Sequence, residues 1–251
     1  MKLISAAFVG VVALILSGCI SGANFVSVEK KFSERVPASG IHHVKRGETL
    51  YAIAWTYGLD YKELASLNHI GSPYTIYPGQ EIRVDGQRNS QPYVPPSRTK
   101  ETTSTAQNST YVTPSYTPPS ETDNSEPRWK WPANGRLISE YSATAPVNKG
   151  IDIAGSMGDS IFAATDGTVV YAGQGLRGYG NLVIVKHNDT YLSAYAHASR
   201  ILVSEQEKVS VGQKIAEIGS TGTDKVMLHF EIRQNGKPVD PLHYLPKRTG
   251  G

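Results

Sequence analysis

Residues 161–197 read IFAATDGTVVYAGQGLRGYGNLVIVKHNDTYLSAYAH, and their pattern predicts the architecture of the larger part of the chain. Short runs rich in β-branched and aromatic residues are separated by Gly-containing and Asn-Asp turn signals. This alternation is typical of β-strands joined by tight turns. Similar runs extend outward on both sides, and no helical periodicity longer than one turn interrupts them. We therefore predict an all-β domain over residues 128–247.

The composition excludes several classes of protein. The chain has 251 residues, which is enough for one or two compact domains with their own cores. A formal net charge of +3 is too small to indicate nucleic-acid binding as the main activity. A single cysteine excludes an intramolecular disulfide and any metal cage built from cysteines, whereas seven histidines leave a histidine-based metal site open.

Residues 1–18 have the pattern of a secretory signal peptide. Lys2 supplies a positive charge, and an apolar run follows over residues 3–16. This run is shorter than the roughly 20 residues that a membrane-spanning helix needs. It ends in the sequence LSGC, which resembles a bacterial lipobox with its cysteine at Cys19.

The lipobox resemblance implies a lipid anchor. Cys19 would be diacylated and become the first residue of the mature protein, followed by a polar tether over residues 19–41. Several acyl chains on one cysteine give stable membrane attachment. The residue directly after the cysteine is Ile20. An aspartate at this position would retain a lipoprotein at the inner membrane. The resemblance thus favours the outer membrane, with the protein facing the periplasm, and leaves the inner membrane as the alternative.

Residues 42–85 have the pattern of a small β-α-α-β module. Thr49 is suited to begin a helix that ends at Gly58, and Asp60 begins a second helix. Short extended segments at 43–45 and 81–84 flank the two helices.

This module resembles a LysM domain through VKRGETLYAIA at residues 44–54, Asn68, and IYPGQEI at residues 76–82. LysM domains bind glycans that contain N-acetylglucosamine, so the resemblance implies peptidoglycan as a partner. It places the glycan groove between two loops, one before the first helix and one before the second extended segment. The implied peptidoglycan-binding residues are Gly47, Glu48, Thr49, Leu50, Asn68, Ile76 and Pro78.

A linker is predicted over residues 86–127. Residues 85–127 include seven Pro, seven Ser and eight Thr, with no Ile, Leu, Phe or Trp. Such a segment cannot bury enough apolar surface to offset the entropy of ordering it, so we predict that it is disordered. A disordered linker would let the domains on either side move independently.

The β domain resembles the lysostaphin/LytM-type zinc metallopeptidases. The resemblance rests on segments such as NKGIDIAG, GYGNLVIVKH, YLSAYAHAS and LHFEIRQNGKPVDPLHYL. In active members, zinc is held by the His and Asp of an H-x-x-x-D segment and by the second His of an H-x-H strand. Two further histidines assist the attacking water. Three nitrogen or oxygen ligands leave a fourth position for that water, whose pKa the zinc lowers.

The chain departs from this pattern at two positions. Asn148 stands where the first zinc-binding histidine should be, and Met227 replaces the first histidine of the H-x-H strand, whereas Asp152, His197 and His229 are retained. An amide oxygen is a poor zinc ligand, and a thioether neither accepts a proton nor donates a hydrogen bond. We therefore predict a vestigial cleft with no catalytic residues, no metal and no cofactor.

The complete layout resembles the NlpD-type lipoproteins, and within them the YgeR/ActS branch. This resemblance implies a partner, a periplasmic N-acetylmuramoyl-L-alanine amidase, that the protein activates during cell-wall remodelling or daughter-cell separation. The residues predicted to contact the amidase are Lys149, Arg177, Tyr179, His229 and Arg233. Two alternatives remain open: an active zinc-dependent peptidoglycan endopeptidase, and a passive tether to the wall.

Overall fold

The computed structural model describes residues 36–85, 126–145 and 147–248. The predicted signal peptide, the lipid-anchor residue Cys19, and most of the tether and of the linker lie outside these ranges. Within the described ranges, no helix combines the length and the apolar character needed to cross a membrane.

The small module (residues 42–85) folds as β-α-α-β, which confirms the prediction. Its elements are β1 Ile41–His43, α1 Leu50–Tyr57, α2 Tyr61–Leu67 and β2 Glu81–Arg83, and β1 pairs antiparallel with β2. The first strand begins at Ile41, two residues before the predicted segment. Both helices begin at the predicted caps. The Thr49 hydroxyl accepts a hydrogen bond from the Ala52 amide, the Asp60 carboxylate accepts from two amides of α2, and Gly58 ends α1 in the left-handed conformation.

The β domain (residues 128–247) is built from β-strands, as predicted. These are β3 Leu137–Ser139, β4 Ile151–Ala154, β5 Ser160–Phe162, β6 Gly167–Gly173, β7 Asn181–Lys186, β8 Tyr191–Ala198, β9 Arg200–Ile201, β10 Lys208–Val209, β11 Lys214–Glu217, β12 Met227–Gln234 and β13 Lys237–Val239. The large sheet has the order β10-β6-β7-β8-β12-β4-β3, with β13 paired to β12. A small sheet has the order β5-β11-β9, and one 3-10 turn follows at Pro241–His243.

Both faces of the large sheet are buried. On β7, Val183 and Val185 point into the core that the large sheet shares with the small sheet. Leu182 and Ile184 point the other way, as alternation along a strand requires. We call this second side of the large sheet the outer face.

The small module packs directly on the outer face. Its apolar residues, including Leu50, Ile53 and Trp55, form one continuous cluster with outer-face residues such as Ile184 and Ala196. This arrangement differs from the independent motion that the linker composition suggested. The composition of a linker determines only what motion is allowed, whereas burial of apolar surface between the domains determines which arrangement is stable.

Candidate functional site

Strand β12 brings three polar side chains to the outer face. His229, Glu231 and Arg233 alternate along the strand and therefore share one side of it, as predicted. Strand β4 lies beside β12 and places Asp152 directly opposite His229. All three β12 side chains are almost completely buried, at 2%, 0% and 1% exposure. A polar cluster buried to this extent must satisfy its own hydrogen bonds and charges.

His229 lies between two carboxylates. Its Nδ1 lies 2.7 Å from Oδ1 of Asp152, and its Nε2 lies 3.2 Å from Oε1 of Glu231. Burial disfavours the charged imidazolium, but the two carboxylates outweigh burial and raise the pKa of His229 to about 9. At neutral pH both ring nitrogens therefore carry protons and donate to the carboxylates.

Glu231 is the centre of the cluster. Besides the contact with His229, it accepts a 2.7 Å hydrogen bond from the Tyr179 hydroxyl and two bonds from Arg233, at 3.1 Å from Nε and 3.0 Å from Nη2. Burial alone would raise the pKa of this carboxyl. The nearby Arg233 and His229 cations instead lower it to about 2, so Glu231 stays ionised.

Arg233 connects this cluster to the small module. Its Nη1 donates a 2.8 Å hydrogen bond to the backbone carbonyl of Trp55, and its guanidinium lies 3.5 Å from the centre of the Trp55 ring. Trp55 is in the last turn of α1, where its carbonyl also accepts a 3.2 Å hydrogen bond from the Gly58 amide and the end of the helix favours a nearby cation. Nothing in the sequence around Trp55 indicates this contact, because the two residues are 178 positions apart.

The side chains at the predicted vestigial cleft are engaged in local hydrogen bonds. The Asn148 amide is used locally: its Nδ2 donates to Ser139 Oγ at 3.0 Å, and its Oδ1 accepts from the Gly150 amide at 3.3 Å. The two nitrogens of His229 are occupied by carboxylates. Within the described residues, no group of three or more His, Cys, Asp or Glu side chains is arranged to hold a metal ion.

The other retained histidine, His197, is also buried and hydrogen-bonded. His197 is buried on β8, with its Nδ1 donating to the Thr221 carbonyl at 2.8 Å and its ring centre 6.1 Å from that of His229. Met227, which starts β12, is likewise buried.

The structure divides the predicted amidase-contact residues into two groups. Tyr179, His229 and Arg233 are buried, and Tyr179 and Arg233 belong to the part of the outer face that the small module covers. Arg177 is exposed, and Lys149 is half-buried. Burial, and then the positive charge of Arg233, lower the pKa of Lys149.

The predicted glycan-binding residues also have different environments. Gly47 and Pro78 are exposed, Glu48 and Ile76 are half-buried, and Leu50 is part of the module's core. The side chain of Asn68 joins α2 to β2, because its amide donates to the Leu64 and Arg83 carbonyls and accepts from the Arg83 amide.

Two further features of the glycan loops bear on their roles. The Thr49 hydroxyl donates a 3.1 Å hydrogen bond to the Val170 carbonyl in the β domain. On the second loop, Tyr77 is 68% exposed and presents an aromatic ring to solvent.

Comparison with known proteins identifies both domains. Residues 42–85 match the LysM domain, and residues 146–241 match Peptidase family M23. The Lipoprotein NlpD/LppB homolog of Pseudomonas aeruginosa is 49% identical over 239 residues, which cover 86% of this chain and 80% of that protein. The Murein hydrolase activator NlpD of Escherichia coli is 42% identical over 82% of this chain and 67% of its own length. The Uncharacterized lipoprotein YgeR of Escherichia coli is 44% identical over 94% of this chain and 90% of its own length.

Proposed function

We propose that this chain, which belongs to the NlpD/LppB family of lipoproteins, activates a separate enzyme that cuts peptidoglycan and does not cut it itself. The enzyme is a periplasmic N-acetylmuramoyl-L-alanine amidase. The observation that carries the proposal is the buried cluster of His229, Glu231 and Arg233, in which His229, the counterpart of a zinc ligand in the resembled peptidases, is bonded to Glu231. A close relative that is named a murein hydrolase activator, and not a peptidase, supports the same conclusion.

The chemistry of the cluster argues against hydrolysis by this chain. A metallopeptidase needs a metal with an open position for water and a side chain that can accept a proton. The ring of His229 is hydrogen-bonded between Asp152 and Glu231, and the amide of Asn148 is turned to Ser139 and Gly150. Met227 offers only a thioether.

Activation needs no chemistry from the activator. A partner that binds the open form of an amidase a few kcal/mol better than its closed form raises the active fraction about 10²-fold or more. In this proposal the β domain supplies the surface that binds the amidase. Lys149 and Arg177 are reachable at the edge of this surface. Tyr179 and Arg233 lie beneath the small module. The small module supplies attachment to peptidoglycan, and lipid on Cys19 attaches the chain to the outer membrane.

A dye-release assay on purified sacculi tests the proposal. We expect the chain alone to release no dye, with or without added zinc, and to increase release several-fold when a zinc-loaded amidase is present. Chelator-sensitive release by the chain alone would instead establish an endopeptidase. If neither condition gives release above that of the amidase alone, the chain is a passive tether. The chelator must be removed before the amidase is added, because the amidase needs its own metal.

Wall binding by the small module has a separate test. We expect Tyr77→Ala to reduce co-sedimentation with sacculi about 10-fold, because an exposed aromatic ring between the predicted contacts Ile76 and Pro78 is suited to cover the apolar face of a sugar. Met157→Ala is the matched control, since Met157 is 58% exposed but lies in the β domain. Equal sedimentation of the two variants would contradict this assignment of the glycan groove.

A further inference from the structure

The contact between the two domains is specific as well as apolar. At its centre, Arg233 stacks on the Trp55 ring and donates to the Trp55 carbonyl, so one guanidinium holds both the side chain and the last helical turn of α1. A buried cation over an indole ring is among the stronger contacts of this kind, and Arg is suited to it because it stacks and donates at the same time.

Three further contacts surround this centre. The Thr49 hydroxyl donates to the Val170 carbonyl at 3.1 Å, and the Tyr61 hydroxyl donates to Asp189 at 3.1 Å. At Gly236, in the turn between β12 and β13, a Cβ atom would lie 2.3 Å from the Leu59 carbonyl oxygen. The backbone of the small module therefore rests directly on this glycine.

The covered surface includes residues that the proposed function needs. Tyr179 and Arg233 are each 1% exposed, so a separate protein cannot reach them while the small module is in place. The outer face around them is lined by apolar side chains such as Leu182, Ile184, Ala194 and Ala196. A face of this composition is suited to receive a helix, and α1 occupies it as one.

We propose that the small module is a built-in competitor that covers the amidase-binding surface and must leave it before the amidase can bind. The module also indicates what the amidase presents: the last turn of a helix, with an aromatic side chain to stack on Arg233 and a backbone carbonyl to accept from it. This inference rests on the proposed function, since it concerns access to the same surface. It adds that the described arrangement is the inactive one.

The covalent connection makes this competition effective. Two sites on one chain can meet at an effective concentration on the order of millimolar, so modest contacts keep the surface covered. The apparent affinity of a partner is then reduced by the fraction of molecules in which the surface is open. A change that only loosens the docked module should therefore strengthen amidase binding without adding any contact to the amidase.

Gly236→Asn is the variant that tests the inference. Asparagine tolerates the left-handed conformation of this position, φ 75°, but its Cβ would collide with the backbone of Leu59 and push the module away. Gly212→Asn is the matched control, because Gly212 has φ 82° and open space where a Cβ atom would lie. Asp189→Lys is a second opening variant that removes the bond to Tyr61 and adds a positive charge near Lys186 and Lys62.

The experiment uses the full lipidated chain in detergent. Spin labels on Tyr77→Cys and Met157→Cys report the distance between the domains, and titration with a zinc-loaded N-acetylmuramoyl-L-alanine amidase reports affinity. We expect a single narrow distance in the parent chain and in Gly212→Asn. In Gly236→Asn and Asp189→Lys we expect longer, broader distances and amidase binding at least 10-fold tighter.

The outcomes separate the two proposals. The competitor inference is wrong if the opening variants keep the narrow distance between the domains. It is also wrong if their domains separate without any gain in amidase affinity. In either case the proposed function stands as long as the parent chain still activates the amidase. If the variants separate and neither they nor the parent chain bind or activate the amidase, the proposed function is wrong and the inference fails with it.

Discussion

Glu231→Gln is expected to lower the free energy of unfolding of the β domain by about 3–5 kcal/mol, the typical cost of breaking a buried ion pair from one side. Glu231 is fully buried and is the carboxylate that faces both His229 and Arg233. Glutamine has nearly the same shape but no charge, so the arginine would be left buried with too little negative charge beside it.

Urea unfolding followed by circular dichroism measures this effect. Glu140→Gln is the matched control, because Glu140 is exposed and exposed substitutions usually change stability by less than about 0.5 kcal/mol. A loss below about 1 kcal/mol for Glu231→Gln would show that the buried cluster tolerates an uncharged centre.

The stability of the β domain is expected to decrease by about 3 kcal/mol between pH 6.5 and pH 9. The folded protein raises the pKa of His229 from its ordinary value of 6.5 to about 9, because two carboxylates outweigh the effect of burial. The folded state therefore holds a proton that the unfolded state releases above pH 6.5. The resulting stabilisation is complete below pH 6.5 and is lost as the pH rises through 9.

Two other groups change the stability of the β domain at acidic pH. Burial lowers the pKa of His187 to about 4, so this histidine destabilises the fold progressively as the pH falls from 6.5 through 4. The pKa of Glu231 is lowered to about 2, so its contribution is present above about pH 4.5 and is lost as the pH falls through 2. We therefore expect greatest stability near pH 6.5.

Comparison of two histidine variants tests whether His229 causes the decrease in stability at alkaline pH. His229→Gln should remove the slope between pH 6.5 and pH 9, whereas His243→Gln should leave it unchanged, since the side chain of His243 is 82% exposed. Parallel urea-unfolding profiles for the parent chain and His229→Gln would contradict the assignment of the slope to His229.

Much of the local structure could be predicted from short sequence patterns. The ends of α1 follow from Thr49 and Gly58, because a hydroxyl suited to cap a helix and a glycine that tolerates positive φ act within a few residues of the backbone they influence. The common face of His229, Glu231 and Arg233 follows from the alternation of a β-strand. Neither prediction needs any knowledge of distant residues.

The candidate site was predicted only in part. Asn148 and Met227 show in the sequence that a zinc site would be incomplete, but the sequence does not show how the remaining groups compensate. The central position of Glu231 depends on the strand order of the large sheet, and the burial of Tyr179 and Arg233 depends on a second domain. The sequence pattern alone predicts both of these residues at a partner-contact surface.

Residue types and spacing were sufficient to indicate two domains, their secondary structure and the replacement of two histidines of the resembled peptidases by Asn148 and Met227, because propensity, periodicity and ligand chemistry are properties of short segments. Tertiary structure alone decided that Trp55 covers Arg233 and that the backbone at Leu59 rests on Gly236. Both contacts join residues far apart in the chain. They form because apolar surface on the helices and on the outer face is buried by docking, and no local pattern encodes which two surfaces will meet.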